Sequence, residues 1–437
     1  MTIIVALFYS MCTLGQTVKK ENSAQDATYD SARIALINKL QYKENKLMRP
    51  IVYYECIDYT KTGLRFPAGR VAQNKFYEKL DSMLKHRNRV INIWHVGDSH
   101  VQAGIFSHRV RTNFSTMQPG LAGTRGVLFP FDMAKTNWTH NYGISYTGQW
   151  EVQRNINRNA NLRFGMTGIS AVTSDPMATT TIDLGVEDYP SWSMDRMKVL
   201  GYASSSSVKV GVTLPFERDT LWAERDSITG SYVVELPKRT KKATAVFCIP
   251  KGDTFTLQGL IPENDTQGIR YFSSGINGDA VPTWNKCVDI QRDLLNVRPD
   301  LVIFAIGVND AAVPYGRFSA EEFKSAYRIL IAKIKAVNPD CAFLFVTNND
   351  IYCREKKRKI PNRNTDIVQA AFYDLAREYG GAVWDVYDFM GGFNSSPIWR
   401  DAGLMRSDLI HFTQTGYELL GDMLYNAIIE DYTKNRK

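Results

Sequence analysis

Apolar residues recur along this chain with two different periods, and the switches between them mark out its elements. Leu80, Met83 and Leu84 lie four, seven and eight positions after Phe76, the spacing of one helix face, and the stretch over residues 28–87 is read as helical. Residues 90–96 follow as an apolar run of strand length and lead directly into Gly97-Asp98-Ser99-His100. Ala103, Phe106, Val110 and Phe114 then resume helical spacing, so the pattern is strand, tight turn, helix. Past residue 300 the alternation repeats, with strands expected over residues 301–306, 342–347 and 382–386. Ser319-x-x-Glu322 is a capping-box signature for a helix that carries Phe323, Tyr327, Leu330, Ile331 and Ile334 on one face. A second helix holds Ile367, Ala371, Leu375 and Ala376 and ends at Gly380-Gly381. Strands and helices alternating at these lengths predict an α/β unit with a parallel sheet covered on both faces.

Between residues 135 and 267 the texture changes. Short alternating stretches such as Val208-x-Val210-x-Val212, Tyr232-Val233-Val234 and Ala245-Val246-Phe247 are separated by Gly, Asp, Ser and Lys, with no long helical period. This predicts an all-β segment inserted after the first strand–helix pair. The organisation expected is a 1–15 leader peptide, a helical segment over 16–87, the α/β unit in two parts over 88–134 and 268–437, and the inserted β domain over 135–267. No repeat of 20–50 residues and no low-complexity tract interrupts it.

The composition is that of a globular chain: 437 residues, 44% hydrophobic and 22% charged, with a net charge of +8. That excludes a disordered or collagen-like protein. The positive excess suggests an acidic partner without saying which. Residues 1–15 are too short an apolar run to span a bilayer. They resemble the apolar core of a signal peptide with small residues before Gln16, although a basic N-terminal region is missing. Export is therefore expected, to the outside of the cell, the periplasm or the cell envelope. Lipid attachment at Cys12 is disfavoured because Tyr9 stands where Leu is expected. The six cysteines form no Cys-x-x-Cys pair, so neither a zinc ribbon nor a thioredoxin-type motif is expected. Cys287 and Cys341, among apolar neighbours, are expected to be buried.

In an open parallel sheet, reactive groups gather beyond the carboxyl ends of the strands. Four places there stand out. Gly97-Asp98-Ser99-His100 puts a serine on a strand-to-helix turn, where helix N-terminal amides point at whatever binds. Ser274-Gly275-Ile276-Asn277-Gly278-Asp279 follows an aromatic strand, Gly307-Val308-Asn309-Asp310 follows another, and Ser407-Asp408-Leu409-Ile410-His411-Phe412 precedes the last helix. A serine needs a base to take its proton, and the base needs a carboxylate to fix its tautomer. Of the six histidines only His411 has an Asp three residues before it in a turn leading to a late helix. Ser99 could instead be no more than a helix cap, and Asn309 and Asp310 likewise. Asp98 is read as bonding turn amides, His100 as a wall or capping residue, Asn348-Asn349-Asp350 as a loop turn, and Trp399 as either lining the site or closing the core. No His-x-x-x-His or carboxylate cluster accompanies Asp408 and His411, so no metal and no cofactor are expected.

In this order the four blocks resemble those of the SGNH, or GDSL-type, serine hydrolase superfamily: Gly97-Asp98-Ser99, Ile276-Asn277-Gly278-Asp279, Gly307-x-Asn309-Asp310 and Asp408-x-x-His411. The resemblance covers residues 88–130 and 268–437. It implies a three-layer α/β/α sandwich, with Ser99 as nucleophile, His411 as general base and Asp408 as its orienting carboxylate. It also implies an oxyanion hole made by the Ser99 N–H, the Gly278 N–H and the Asn309 side-chain amide, with Gly275 as the alternative to Gly278. The inserted β domain resembles the carbohydrate-binding-module-like β-sandwich of the branch that removes O-acetyl groups from peptidoglycan. The function implied is an exported esterase acting on small acyl esters, chiefly acetyl, of a glycan such as peptidoglycan or another polysaccharide. A lipid acyl esterase and a glycan-binding protein with a relict site are the alternatives. No helix-turn-helix, ribonucleoprotein motif or zinc finger points to nucleic acid. The positive charge is concentrated: residues 354–363 hold +5 and residues 235–242 hold +3, and the remainder sums to zero. Either cluster could be an ordinary solvated turn. The first would bear on an anionic glycan only if it lay near Ser99.

Overall fold

The computed structural model describes residues 47–435 apart from 139–140, 188–189, 216 and 356–357. The leader peptide expected over residues 1–15, and Cys12, lie outside the described residues. Five parallel strands form one sheet in the order Gly268–Gly275, Val90–Gly97, Leu301–Ala305, Ala342–Val346, Ala382–Trp384. Side chains alternate across a strand, and that alternation divides the core in two. Trp94, Val96, Val302 and Phe304 face the helices Ile290–Val297, Ala320–Val337 and Asn364–Tyr379. Ile91, Ile93, Leu301 and Ile303 face Val71–His86, Ile105–Ser115 and Gln414–Asn435. The result is the three-layer α/β/α sandwich that the alternation of elements predicts. The helix Ala320–Val337 starts as its capping box requires, with Ser319 Oγ accepting the Glu322 N–H.

The helical reading of residues 28–87 needs correction. Among the described residues only Val71–His86 is α-helical there, while residues 47–70 form a strap with one 3-10 turn at Tyr59–Lys61. Pro50, Gly63, Pro67 and Gly69 break the helical hydrogen bonding. The strap instead satisfies the sheet's outer edge: Arg65 and Val383 exchange backbone hydrogen bonds at 2.9 and 2.8 Å, and Trp384 Nε1 donates to the Thr62 carbonyl. An edge strand covered in this way has no free ladder to offer a second chain.

Strands from Gly143 to Glu263 build two antiparallel sheets, one of six strands and one of five, around a third apolar core that includes Val199, Val212, Phe247 and Leu257. The strand Phe255–Glu263 is buried along its whole length because the six-stranded sheet is covered on both faces. Phe255 and Leu257 point into the β-sandwich, while Ile261, with Ile169, Ala171 and Leu200, joins the core of the α/β unit. The inserted domain is therefore fused to its host through a shared core. All five described cysteines are free thiols, and Cys287 and Cys341 are buried. No described helix is long and apolar enough to cross a membrane.

Candidate active site

Strand order decides where the site lies. The strand that follows Val90–Gly97 in sequence within this sheet, Gly268–Gly275, pairs on one side of it, and the next, Leu301–Ala305, on the other. At such a reversal the connections diverge and leave a crevice beyond the strand ends. Ser99, Gly278 and Asn309 follow these three strands.

The Gly97 position forces the tight turn, since a Cβ there would sit 2.3 Å from Val101 Cγ2 and 2.6 Å from the Ala305 carbonyl. The cap of the short helix that follows is Asp98, whose Oδ1 accepts the His100 N–H at 3.0 Å. Ser99 is thus relieved of capping, and its half-buried hydroxyl lies 2.9 Å from His411 Nε2. His411 Nδ1 lies 2.9 Å from Asp408 Oδ2. In the tautomer this network favours, Ser99 Oγ–H donates to Nε2 and Nδ1–H donates to the carboxylate. Asp408 Oδ1 also accepts the Ile410 and His411 backbone N–H groups, each at 2.9 Å. That closes the loop between them and holds Leu409 at φ 61°, a conformation costly for a non-glycine residue. Burial alone would raise the Asp408 carboxyl, but hydrogen bonds from the His411 ring and from the two backbone amides hold it well below the usual carboxylate range.

The three donors expected for an attacked carbonyl oxygen follow these strand ends. No hydrogen bond to the Ser99 or Gly278 backbone N–H is found among the described residues. Gly278 is exposed at φ 81°, and a Cβ there would find its nearest neighbour, Ile156 Cδ1, only at 3.9 Å. Gly275 is different. It ends its strand paired with Gly97, and a Cβ would strike the Gln102 N at 2.4 Å, so its glycine serves the close crossing of two backbones. Asn309 Nδ2 donates to the Asp279 carbonyl at 2.8 Å and reaches Asp98 Oδ2 only at 3.5 Å, which leaves its second hydrogen weakly engaged.

His100 is a wall. Its buried ring lies 5.3 Å from the His411 ring, its Nδ1 meets the Tyr417 hydroxyl at 2.9 Å, and burial together with the neighbouring His411 pushes it down to about 3. A ring kept neutral there adds no charge beside the base. Trp399 is fully buried, donates from Nε1 to the Met390 carbonyl and packs on Phe412, so it closes the core. Among the described residues no group of three or more His, Cys, Asp or Glu could hold a metal ion.

Several supporting residues escaped the sequence reading. Gln102 accepts the Asn277 N–H and donates to Thr136 and Asn137, tying the Gly278 loop to the helix that begins at Ser99. Asn349, read as part of a loop turn, is buried and donates to the Ile410 carbonyl at 3.0 Å, holding the His411 loop. Its position just beyond a strand end was the available signal. Asn155, from the inserted domain, donates to Asp279 Oδ2 at 2.9 Å, and nothing in its sequence neighbourhood marks it.

Asp279 is fully buried, and burial raises its carboxyl well above the usual range, as it raises nearby Asp98 to about 7. A carboxyl with a folded pKa above its unfolded value of about 3.9 binds more protons folded than unfolded, so its stabilising contribution is complete below that pH and is lost as pH rises through the folded value. Asp279→Asn removes the ionisation, and the Asn155 Oδ1, which has no partner among the described residues, can accept from the new amide after a flip. The fall in Tm between about pH 5 and about pH 8 is expected to shrink by a few degrees in this variant, as read by thermal unfolding at both pH values. An unchanged difference would assign the pH dependence elsewhere.

Residues 226–419 match the GDSL-like lipase/acylhydrolase family, a span that includes the Gly278, Asn309 and His411 blocks and begins after Ser99. A solved peptidoglycan O-acetylesterase superposes with a TM-score of 0.68 at 20% identity, covering 85% of this chain and 99% of that one. An acetyl xylan esterase is similar over 37% of this chain and 82% of its own, with a TM-score of 0.30 and 20% identity. A lipase/acylhydrolase from Enterococcus faecalis is similar over 38% and 77%, with a TM-score of 0.29 and 18% identity. No curated protein sequence matches the chain. The parallel sheet carries the four blocks around one crevice; the three blocks within residues 226–419 lie in the stretch that is similar to the GDSL-like lipase/acylhydrolase family, and the fold is the one seen in the peptidoglycan O-acetylesterase.

Proposed function

We propose that the chain is an exported serine esterase that removes small O-acyl groups, chiefly acetyl, from a glycan. The observation that carries this reading is the relay from Ser99 through His411 to Asp408, two contacts of 2.9 Å that join residues 312 positions apart. Ser99 Oγ attacks the ester carbonyl carbon while His411 Nε2 takes its proton, and Asp408 stabilises the imidazolium that results. Negative charge develops on the carbonyl oxygen, where the N–H groups of Ser99 and Gly278 and the Asn309 amide receive it. Collapse expels the alcohol, which takes the proton from His411 and leaves an acyl-enzyme on Ser99. Water, deprotonated by the same ring, then releases the carboxylic acid.

A short acyl group is favoured by Ile156, which the inserted domain sets beside Gly278. The glycan is favoured by the inserted β-sandwich on the edge of the crevice and by the fold shared with a peptidoglycan O-acetylesterase. The apolar residues 1–15 favour export. Rates on p-nitrophenyl acetate and p-nitrophenyl decanoate, with acetate release from O-acetylated peptidoglycan and acetylated xylan, test the reading. The acetyl ester is expected to exceed the decanoyl ester about tenfold or more in kcat/KM. A preference for the long chain would favour a lipid substrate instead.

A further inference from the structure

The two basic clusters of the sequence have different fates. In the inserted domain, Lys238 pairs with Glu217 at 2.6 Å, Arg239 with Asp195 at 2.8 Å and Lys242 with Asp183 at 3.5 Å, so three of that cluster's four cations are paired within the fold. Among the described residues of the cluster at 354–363, Tyr352–Glu355 pairs antiparallel with Arg358–Pro361 as a two-stranded hairpin. Arg354, Arg358, Lys359 and Arg363 are all exposed there, and Glu355, opposite Arg358 in the strand pair, is the one acidic residue among them. Arg363 lies over the Phe393 ring at 5.7 Å.

Two features separate this hairpin from an ordinary solvated turn. Arg354 and Lys359 are direct cross-strand partners. Like charges directly opposite destabilise a strand pair, and an isolated two-stranded hairpin is marginal to begin with. Glu355 pairs in register with Arg358 and not with either member of this pair, so a bound anion would relieve the repulsion between them. The hairpin is also anchored on the loop of the candidate base. The Tyr352 N–H donates to the Leu409 carbonyl at 3.1 Å, and Lys359 Nζ donates to the Ser407 carbonyl, so one contact falls just before Asp408 and the other between Asp408 and His411. Arg406, exposed on the same loop, adds a further positive charge. At about 3.4 Å per residue the strands reach about 10 Å from this anchor, close to the length of a disaccharide and to the screening length at physiological salt.

We propose that this hairpin is a binding site for a carboxylated glycan chain, which it holds beside the Ser99 crevice, so that the esterase acts on acyl groups of an anionic rather than a neutral polysaccharide. The proposal rests on the esterase reading for what is done to the chain, and on the hairpin alone for what holds it. Guanidinium groups match carboxylates in geometry and need little dehydration to do so. The site's place on the loop of the hydrolytic centre favours a glycan over the phosphate backbone of a nucleic acid.

Titration of the full chain with hexagalacturonate, with its neutral hexagalactoside counterpart and with single-stranded DNA of equal charge tests the proposal, at about 50 mM and about 300 mM salt. The carboxylated hexamer is expected to bind about tenfold or more tighter than the neutral one, with a preference that shrinks at the higher salt. Arg354→Gln with Arg358→Gln, both on exposed positions remote from any core, is expected to remove most of that preference. Equal binding of the two hexamers, an unchanged preference in the double variant, or tighter binding of the DNA would overturn it. The titration needs no turnover. A chain that binds the carboxylated hexamer but releases no acetate would overturn the proposed function and leave the hairpin's role standing.

Discussion

Ser99→Ala is expected to lower kcat for p-nitrophenyl acetate by about 10⁴–10⁶ with KM changed by less than about threefold, because the hydroxyl enters only the step that forms the new bond. Stability is expected to survive. The cap of that helix is Asp98, not Ser99, and the hydroxyl's one strong contact is with His411. Steady-state kinetics and a melting curve on the same preparation separate the two effects. A loss of activity matched by a loss of folded protein would leave the nucleophile unassigned, and full activity in a folded variant would remove Ser99 from the mechanism.

Asp408→Asn carries the second largest effect, a fall of about 10³–10⁴ in kcat. The amide can still accept a backbone hydrogen bond through its oxygen and so keeps the loop closed over Leu409, where the carboxylate accepts from Ile410 and His411. What it loses is the acceptor for His411 Nδ1–H, so the ring is driven to the tautomer that presents N–H to Ser99. The variant should therefore fail in kcat more than in KM. Since hydrogen bonds hold the native carboxyl well below the usual range, Asp408 stays ionised throughout mildly acidic conditions, and no acid loss of activity near pH 4 is expected from it.

The parts of the molecule that the sequence revealed are those governed by local periodicity or by backbone geometry at a turn. Residues 90–96 read as a strand because Val90, Ile91, Ile93, Trp94 and Val96 make a short, mostly apolar run, and side chains on both faces of the strand are buried. Ser319 and Glu322 announced their helix start through a local hydrogen bond, which forms. Ser99 stood out on its strand-to-helix turn, His411 by the Asp three residues before it, and Gly278 by the block it shares with the family resembled. The strap over residues 47–70 was misread because its stabilising bonds run to Val383 and Trp384, more than three hundred residues away. Asn155 was invisible for the same reason: it is an unremarkable polar residue until a second domain places Asp279 against it. That Gly275 sits where two backbones cross, and which of the basic residues are paired, needed the fold. Composition gave the sum of the charges, whereas only the fold tells which are paired.

The central claim is that Ser99 is a hydroxyl made nucleophilic by His411, and its covalent capture is the most direct test. Intact-mass analysis after incubation with a fluorophosphonate is expected to show one adduct per chain, mapped by peptide sequencing to Ser99, and none in His411→Ala at the same exposure. Labelling at another residue, or undiminished labelling of Ser99 once His411 is gone, would contradict it.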